Sequence, residues 1–263
     1  MAELQPQPYL DFAKGLAYEA GDIMREYFDP KAQRKQIKPD GSPVTIADLE
    51  INRLVIRRVA EQFPNDGVVG EEESTDVYGS DKHLWVCDPI DGTAAFTWGV
   101  PTAMFSLAML VYGRPEIGVA YEPVTDRLYW AVRGHGAYVN GKPIRVNADS
   151  LATGTLAISS TMTDLYGNPY YQELYQRGVA MAPIYGTVFS AASIADGRLI
   201  GNITSSAKNH DIAAGQVIID EAGGMITDLA GKPLDYTRPF KGFIISNGVV
   251  HDELLACVRQ FQK

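Results

Sequence analysis

Residues 85–99 read WVCDPIDGTAAFTWG, so a short apolar strand runs directly into two aspartates, Asp88 and Asp91. Pro89 lies between them and, because proline has no backbone N–H and a fixed φ, it interrupts the hydrogen-bond ladder of the strand. We expect the resulting bend to direct both carboxylates and the Ile90 carbonyl to one point. Oxygen ligands of this kind suit a hard cation such as Mg²⁺.

The next two residues, Gly92 and Thr93, predict a tight turn into a helix. The free N–H groups at the start of a helix form a seat for an anion such as phosphate. Metal-binding carboxylates beside such a seat are what metal-assisted phosphoryl chemistry requires. The ordinary alternative is an Asp-Pro turn followed by an aspartate that caps a helix, and both are common. This segment alone leaves the two interpretations open.

Other acids also stand where strands or loops end. Glu71 and Glu72 follow Gly70 after a short apolar run, and Asp211 begins the apolar stretch DIAAGQVII. Taken singly, the two glutamates are typical of a solvated surface, and Asp211 is typical of an acid that complements a helix dipole. Together they lie at chain breaks, where α/β enzymes gather their sites.

Composition excludes several classes of function. The chain has 263 residues, is 46% hydrophobic and 21% charged, and carries a net charge of −9. These are values of a globular protein with a sizeable core, and the basic excess of a nucleic-acid-binding protein is missing. No apolar run reaches the roughly 18 residues of a membrane span. The N-terminus has no signal-peptide pattern, and two distant cysteines, Cys87 and Cys257, predict reduced thiols in a cytoplasmic protein.

The first half of the chain predicts two helices followed by a strand meander. Apolar residues at helical spacing predict a helix over 9–28, and Thr45 with Asp48 predicts a capping box at the start of a second. Asn140-Gly141 between two strand-like runs predicts a hairpin. The strands between these elements are expected within 67–75, 83–87, 102–111, 116–122 and 127–133.

After about residue 150 short strands alternate with helical stretches, which favours sheets covered by helix layers. The strands are expected within 155–159, 197–203, 224–229 and 242–246, and the helices over 169–177, 188–196, 211–222 and 249–262. We expect one domain over 1–263, with sub-domains of about 1–150 and 151–263.

Five motifs, in this order along the chain, resemble the inositol monophosphatase family of Mg²⁺-dependent, lithium-sensitive phosphomonoesterases. They are GSPVTIADLEIN (41–52), GEE (70–72), DPIDGTAAF (88–96), GHGAYVNGKPIRV (134–146) and HDIAAGQVIIDEAGG (210–224). The resemblance implies an α+β fold, the layered αβαβα sandwich of the inositol monophosphatases and fructose-1,6-bisphosphatases. It also implies hydrolysis of a small phosphorylated metabolite by in-line attack of a metal-activated water, in a protein that forms a homodimer.

The resemblance further implies two or three Mg²⁺ ions. Glu71, Asp88 and the Ile90 carbonyl would hold the first, and Asp88, Asp91 and Asp211 would share the second. A third, weaker ion near Glu71 would hold the attacking water.

Roles for other residues follow from the same resemblance. Thr93 would orient the attacking water, Asp48 would polarise Thr93, and Glu72 would support the ligands from behind. Substrate contacts are expected from Gly92, Thr93, Gly186, Thr187, Ser190, Thr204 and, as a looser match, Lys38. His210 is expected to act mainly in packing, with a small polar role.

Inositol 1-phosphate or a similar polyol phosphate is the first substrate expected. Inositol-selective members have a glutamate seven residues before the last metal-binding aspartate, whereas this chain has Thr204, and Ala95 replaces an asparagine that many of them have. Histidinol phosphate and 3′-phosphoadenosine nucleotides are therefore alternatives. A non-catalytic protein that binds metal or phosphate is a remote alternative, since the full set of acids together with Thr93 is present.

Overall fold

The computed structural model describes residues 5–29, 35–39, 41, 43–79, 83–159, 168–205 and 207–261. Elements up to residue 144 are α1 (Pro6–Tyr27), β1 (Lys35–Ile37), β2 (Pro43–Thr45), α2 (Ile46–Gln62), β3 (Gly67–Gly70), β4 (Leu84–Asp91), α3 (Thr93–Thr97), β5 (Met104–Val111), β6 (Arg114–Glu122), β7 (Arg127–Val132), β8 (Ala137–Val139) and β9 (Lys142–Ile144). Later elements are β10 (Thr155–Ser159), α4 (Pro169–Gln176), β11 (Ala180–Ile184), α5 (Thr187–Ala195), β12 (Gly201–Thr204), a 3₁₀ helix (Asn209–Asp211), α6 (Ala213–Glu221), β13 (Met225–Asp228), β14 (Phe243–Ser246) and α7 (His251–Phe261).

Strands β3 to β9 form a seven-stranded sheet in which each strand pairs with its neighbour in sequence. β3 and β4 are parallel, and the later pairs are antiparallel. The predicted meander is therefore confirmed. Asn140 and Gly141, predicted to turn the last hairpin, have φ of 48° and 75°. A two-residue type I′ turn requires these left-handed values.

The second sheet has five strands in the order β11-β10-β12-β14-β13. β10 is parallel to both of its neighbours, and β14 is antiparallel to both of its own. The four strands predicted after residue 150 correspond to β10, β12, β13 and β14. The sequence analysis missed β11, which contains Pro183 and lies at the sheet edge, the position where a strand tolerates proline.

Helices α1 and α2 cover one face of the seven-stranded sheet. Apolar residues at helical spacing form the buried side of α1, which confirms the predicted helix. They include Leu10, Ala13, Leu16, Ala17, Ala20 and Met24. The predicted capping box is also present: the Thr45 side chain accepts from the Asp48 backbone, and the Asp48 carboxylate accepts from the Thr45 backbone. The short β1–β2 hairpin before α2 was not predicted, because the Pro, Asp, Gly and Ser residues of this segment indicate only a turn.

Helices α5 and α6 lie between the two sheets and form the middle layer. Strand alternation divides β10 accordingly: Ala157 faces this layer, and Leu156 and Ile158 face the opposite side. α6 lies so close to β6 that a Cβ atom at Gly118 would stand 2.4 Å from the Ala214 carbonyl oxygen. Glycine is therefore the residue that allows this contact.

Helices α4 and α7 cover the outer face of the five-stranded sheet. Leu174 and Val258 pack there with Ile158, Ile203 and Ile244. The layers follow in the order helix, sheet, helix, sheet, helix, which confirms the predicted α+β sandwich. α7 corresponds to the predicted helix 249–262, of which residue 262 lies outside the described ranges. Within those ranges no helix is both long and apolar enough to cross a membrane.

The contact between α6 and β6 makes a stability prediction. Gly118→Ala is expected to lower the free energy of unfolding by about 1–3 kcal/mol, the usual cost of overpacking, because the new methyl group meets backbone rather than a movable side chain. Denaturation in urea with and without the substitution measures this change.

Gly15 in α1 is a matched control, because it has no heavy atom within 4 Å of its Cβ position. Gly15→Ala is expected to raise the free energy of unfolding by about 0.5–1 kcal/mol through helix propensity alone. Equal effects of the two substitutions would contradict the close approach at Gly118.

Candidate active site

The end of β4 brings Asp88 and Asp91 into the interior. Asp88 lies opposite Ser106 on β5, but Asp91 lies opposite Met104, so one strand has two intervening residues and the other has one. This bulge contains Pro89, which cannot donate to the ladder. The ladder is interrupted there as predicted, although the strand itself resumes and ends at Asp91. Both aspartates are buried, with 3% and 6% of their surface exposed.

Asp91 also caps helix α5. Its Oδ1 accepts from the Thr187 N–H at 2.9 Å, and its Oδ2 accepts from the Val188 N–H at 2.8 Å. These bonds satisfy N–H groups at the start of a helix that has no side-chain cap of its own. The sequence analysis missed this link, since the two segments are about a hundred residues apart and no local pattern signals it.

Thr93 begins α3 directly after the two aspartates. Its hydroxyl donates to the Ile90 carbonyl at 3.0 Å and lies 3.4 Å from Oδ1 of Asp48. Asp48 comes from the first turn of α2 and is fully buried. The predicted pair of Thr93 and Asp48 is therefore in contact. Gly92 precedes α3 with a left-handed φ of 80° and, being glycine, provides no side-chain cap for that helix.

Glu71 and Glu72 follow β3, and the Glu71 N–H continues the β3–β4 ladder by donating to the Cys87 carbonyl. Both carboxylates accept from the Lys38 ammonium, Glu71 at 2.8 Å and Glu72 at 2.5 Å. Lys38 therefore contacts the candidate metal ligand Glu71 directly, which is a closer association with the acids than the loose sequence match suggested.

Asn52 holds the turn that carries these glutamates. Its amide donates to the Glu73 carbonyl at 2.9 Å, and its carbonyl accepts from the Glu72 N–H at 3.3 Å. Asn52 is fully buried on the same face of α2 as Asp48. The sequence analysis missed it. The available signal was a second polar residue four positions after Asp48 on an apolar helix face.

Asp211 ends the 3₁₀ helix that precedes α6, and this helix packs against β4. Its Oδ2 accepts from the Lys208 N–H at 2.6 Å, and its Oδ1 lies 3.3 Å from Nε2 of His210. His210 is buried, as a packing role predicts, and it also makes this polar contact. Asn209 fastens the same turn to residues 238–240 through two hydrogen bonds.

The acids around β4 disfavour one another's negative charge. Burial raises the pKa of Asp88 well above its usual range, and the neighbouring Glu71, Asp91 and Asp211 raise it further. Burial, with Asp211 adding to it, raises the pKa of Asp91 to about 7 against the opposing hydrogen bonds from α5. Burial likewise raises the pKa of Asp48 to about 7. A site of this kind favours protons or cations.

Over the described ranges, no group of three or more His, Cys, Asp and Glu side chains forms a ready-made metal site. The fit of a cation is tested instead by Asp88, whose Oδ1 is buried and has no hydrogen-bond partner. A buried carboxylate oxygen without a partner is costly and requires a cation or a proton. Its neighbours include the carboxylates of Glu71, Asp91 and Asp211, donors of the kind that a hard divalent cation prefers. The residues therefore fit Mg²⁺.

The other residues expected to touch substrate differ in their position. Gly186 lies beside the acids, since a Cβ there would stand 2.7 Å from Oδ2 of Asp91. The Ser190 hydroxyl donates to the Gly186 carbonyl one helical turn back, and the Thr204 hydroxyl donates to the side chain of Asn202. Both hydroxyls are buried and have protein partners, so the structure does not bring them to the acids as free donors.

Known proteins resemble this chain along nearly its whole length. A sequence model of the inositol monophosphatase family matches residues 5–263. A fructose-1,6-bisphosphatase/inositol-1-monophosphatase of Thermotoga maritima is 32% identical over 251 residues, which cover 95% of this chain and 96% of that protein. A histidinol-phosphatase of Chlorobaculum parvum is 30% identical over 253 residues, with coverage of 95% and 96%.

A solved structure of a Thermotoga maritima inositol monophosphatase, described as an IMPase, superimposes with a TM-score of 0.88. It is 30% identical, and the alignment covers 96% of this chain and 97% of that one. The chain therefore belongs to the inositol monophosphatase family of phosphoric monoester hydrolases.

Proposed function

We propose that this phosphatase hydrolyses a small phosphomonoester with the help of two or three Mg²⁺ ions. Enzymes of its family are metal-dependent phosphatases. The observation that carries the finer proposal is the buried Oδ1 of Asp88, which has no hydrogen-bond partner among the described residues and lies among carboxylates that raise the pKa of Asp88. Such a cluster is stabilised by added positive charge.

Glu71, Asp88 and the Ile90 carbonyl are proposed to hold one ion, and Asp88, Asp91 and Asp211 a second. When bound, the ions neutralise phosphate charge and lower the pKa of a bound water. Their ligands already have partners: Glu71 accepts from Lys38, Asp91 from α5, and the Ile90 carbonyl from Thr93. Carboxylate and carbonyl oxygens have more than one lone pair, so a partner does not exclude a ligand role.

Thr93 and Asp48 are proposed to handle the proton of the attacking water. By turning its single proton from the Ile90 carbonyl to Oδ1 of Asp48, 3.4 Å away, the Thr93 hydroxyl can accept a hydrogen bond from water. Burial raises the pKa of Asp48 to about 7, so this carboxyl can gain and lose a proton near neutral pH. The amides of Gly92 and Thr93 are proposed to bind the phosphate.

Lys38, Glu72 and the loop at Gly186 complete the proposed site. Lys38 balances Glu71 and Glu72, and an ammonium at that position also suits an anionic substrate. The Thr187 N–H already donates to Asp91. We therefore propose that Gly186 and Thr187 act indirectly, by holding Asp91 in position in the wall of the site.

Two substrate classes are proposed. Inositol 1-phosphate or a similar polyol phosphate comes first, supported by a relative named for inositol-1-monophosphate and fructose bisphosphate activity. Histidinol phosphate or a 3′-phosphoadenosine nucleotide comes second. The hydroxyl of Thr204 is bonded to Asn202 and cannot replace the carboxylate that binds inositol hydroxyls, which favours this second class.

Three broader features belong to the same proposal. One phosphatase domain spans 1–263 with sub-domains meeting near residue 150, which is supported by the division of the two sheets at that point. A cytoplasmic location is supported by two buried free cysteines, Cys87 and Cys257. A homodimer is proposed from the family resemblance alone.

Removal of metal is expected to abolish phosphate release and to lower thermal stability. EDTA-treated protein should regain both when Mg²⁺ is added, because a ligand that binds only the folded state raises the melting temperature. A phosphate-release assay and a thermal melt on the same samples measure the two effects. Full activity without metal would contradict the proposal.

Substitution of the two β4 aspartates is expected to separate metal binding from folding. Asp88→Asn and Asp91→Asn should each lower kcat on the order of 10²–10³-fold or more, because each removes charge from the site. A carboxyl group whose pKa is higher in the folded state than in the unfolded state destabilises the folded protein at pH values above the unfolded-state pKa. Asp88→Asn removes such a group, so it should stabilise metal-free protein at pH 8 by about 1–3 kcal/mol.

Asp91→Asn is the matched comparison, because it also disturbs the two hydrogen bonds that cap α5. It should be less stable than Asp88→Asn in urea denaturation of metal-free protein. Equal stability of the two variants would show that the cap contributes nothing, and wild-type turnover in either would remove that residue from the metal site.

A further inference from the structure

Trp98, which is exposed, and Tyr185, which is half-buried, form an aromatic pair. Their ring centroids are 5.2 Å apart, and the ring planes are nearly perpendicular at 87°. Trp98 follows the last residue of α3, and Tyr185 follows β11. Two rings in this arrangement form an apolar corner, in which a third flat ring can stack on one member and meet the other edge to face.

The pair lies beside the proposed phosphate position. A Cβ atom on Gly92 would stand 3.2 Å from the Tyr185 carbonyl oxygen and 3.5 Å from the Cα atom of Gly186. Trp98 lies five positions after Thr93, directly beyond α3, which corresponds to a rise of about 8 Å at 1.5 Å per residue. An alcohol esterified to a phosphate at Gly92 and Thr93 is thus within reach of the corner.

Exposure of Trp98 is exceptional among the tryptophans of the chain. Trp85 is fully buried, and Trp130 is half-buried in a stack with Tyr138, whereas 56% of the Trp98 surface is exposed. Exposure of a single surface aromatic residue is common, and at Trp98 it gains significance from the position beside the proposed phosphate site.

The polar side chains expected to read a polyol have other partners. The hydroxyls of Ser190 and Thr204 both donate within the protein. A leaving group with many hydroxyls would find few free donors and acceptors among them. A flat ring needs no such partners on its faces.

We propose that Trp98 and Tyr185 form a leaving-group subsite that selects phosphate esters whose alcohol carries a flat unsaturated ring. This inference rests on the proposed phosphomonoesterase function and narrows its substrate class. Imidazole and purine rings have the required shape, and a cationic ring would gain a further attraction to the aromatic faces.

A pair of esters that differ only in ring flatness tests the subsite. The probes are 2-phenylethyl phosphate and 2-cyclohexylethyl phosphate, hydrolysed with saturating Mg²⁺. Wild-type protein is expected to favour the flat ring in kcat/KM by about tenfold, the scale of one aromatic stack. Trp98→Leu is expected to reduce this preference to near unity, and Trp98→Phe, which keeps a flat ring, to retain most of it.

Tyr175→Leu is the matched control, because Tyr175 is an exposed aromatic residue on α4, with 73% of its surface exposed. Its preference should equal that of the wild type. Sedimentation of each variant accompanies the kinetics. A wild-type ratio near one, or an unchanged ratio in Trp98→Leu, would overturn the subsite, and so would loss of preference in the control.

Two further outcomes are distinguishable from these. A changed sedimentation coefficient in Trp98→Leu with an unchanged ester ratio would assign the pair to contact between copies of the chain and overturn the inference. Failure of wild-type protein to hydrolyse both esters and inositol 1-phosphate would defeat the phosphomonoesterase proposal and the subsite with it. Rapid hydrolysis of both esters at equal rates would defeat the subsite alone.

Discussion

Negative charge buried at the end of β4 is the constraint on which the rest of the site depends. Asp88, Asp91 and Asp48 are almost entirely inaccessible to water, and burial raises the pKa of each. A chain under selection for stability alone would replace such acids with apolar residues, because buried charge is costly without compensation. Their presence in a mostly apolar core marks the end of β4 as a candidate functional site, at which the acids lower stability.

The protein provides some of these carboxylates with more hydrogen bonds and ion pairs than others. The carboxylate oxygen with the fewest partners is the best candidate for contact with a cation. Asp91 accepts two N–H groups from α5, Asp211 accepts one from Lys208, and Glu71 accepts from the Lys38 ammonium. Oδ1 of Asp88 accepts no hydrogen bond from the part of the chain that the structure describes. The least compensated oxygen thus belongs to the residue proposed to touch both ions. The ligand assignment comes from the family resemblance, and the unpartnered oxygen is a separate observation from hydrogen-bond geometry that supports it.

Most helices and strands could be predicted from local sequence patterns. The features that could not be predicted depend on contacts between distant parts of the chain. The start of α2 was predictable because Thr45 and Asp48 form a capping box. The hairpin was predictable because Asn140 and Gly141 favour the left-handed φ values that its turn requires. β11 has no such pattern, since it is short, contains proline and lies at an edge. The acids could be identified from their positions at chain breaks, whereas the capping of α5 by Asp91 depends on a contact that exists only after folding.

Each wall of the site is anchored in a different layer of the sandwich. Asp48 and Asn52 come from α2 in the outer helix layer, Asp88 and Asp91 from the seven-stranded sheet, and Asp211 from the turn that enters the middle helices. These residues lie on both sides of residue 150, so neither half of the chain holds the complete set. Because each layer fixes its own acid through packing, the acids can be brought together against their mutual repulsion only when the layers have assembled. Hydrophobic burial across the whole sandwich therefore offsets the cost of concentrating charge at one point, and a destabilised layer is expected to disturb the site before the fold is lost.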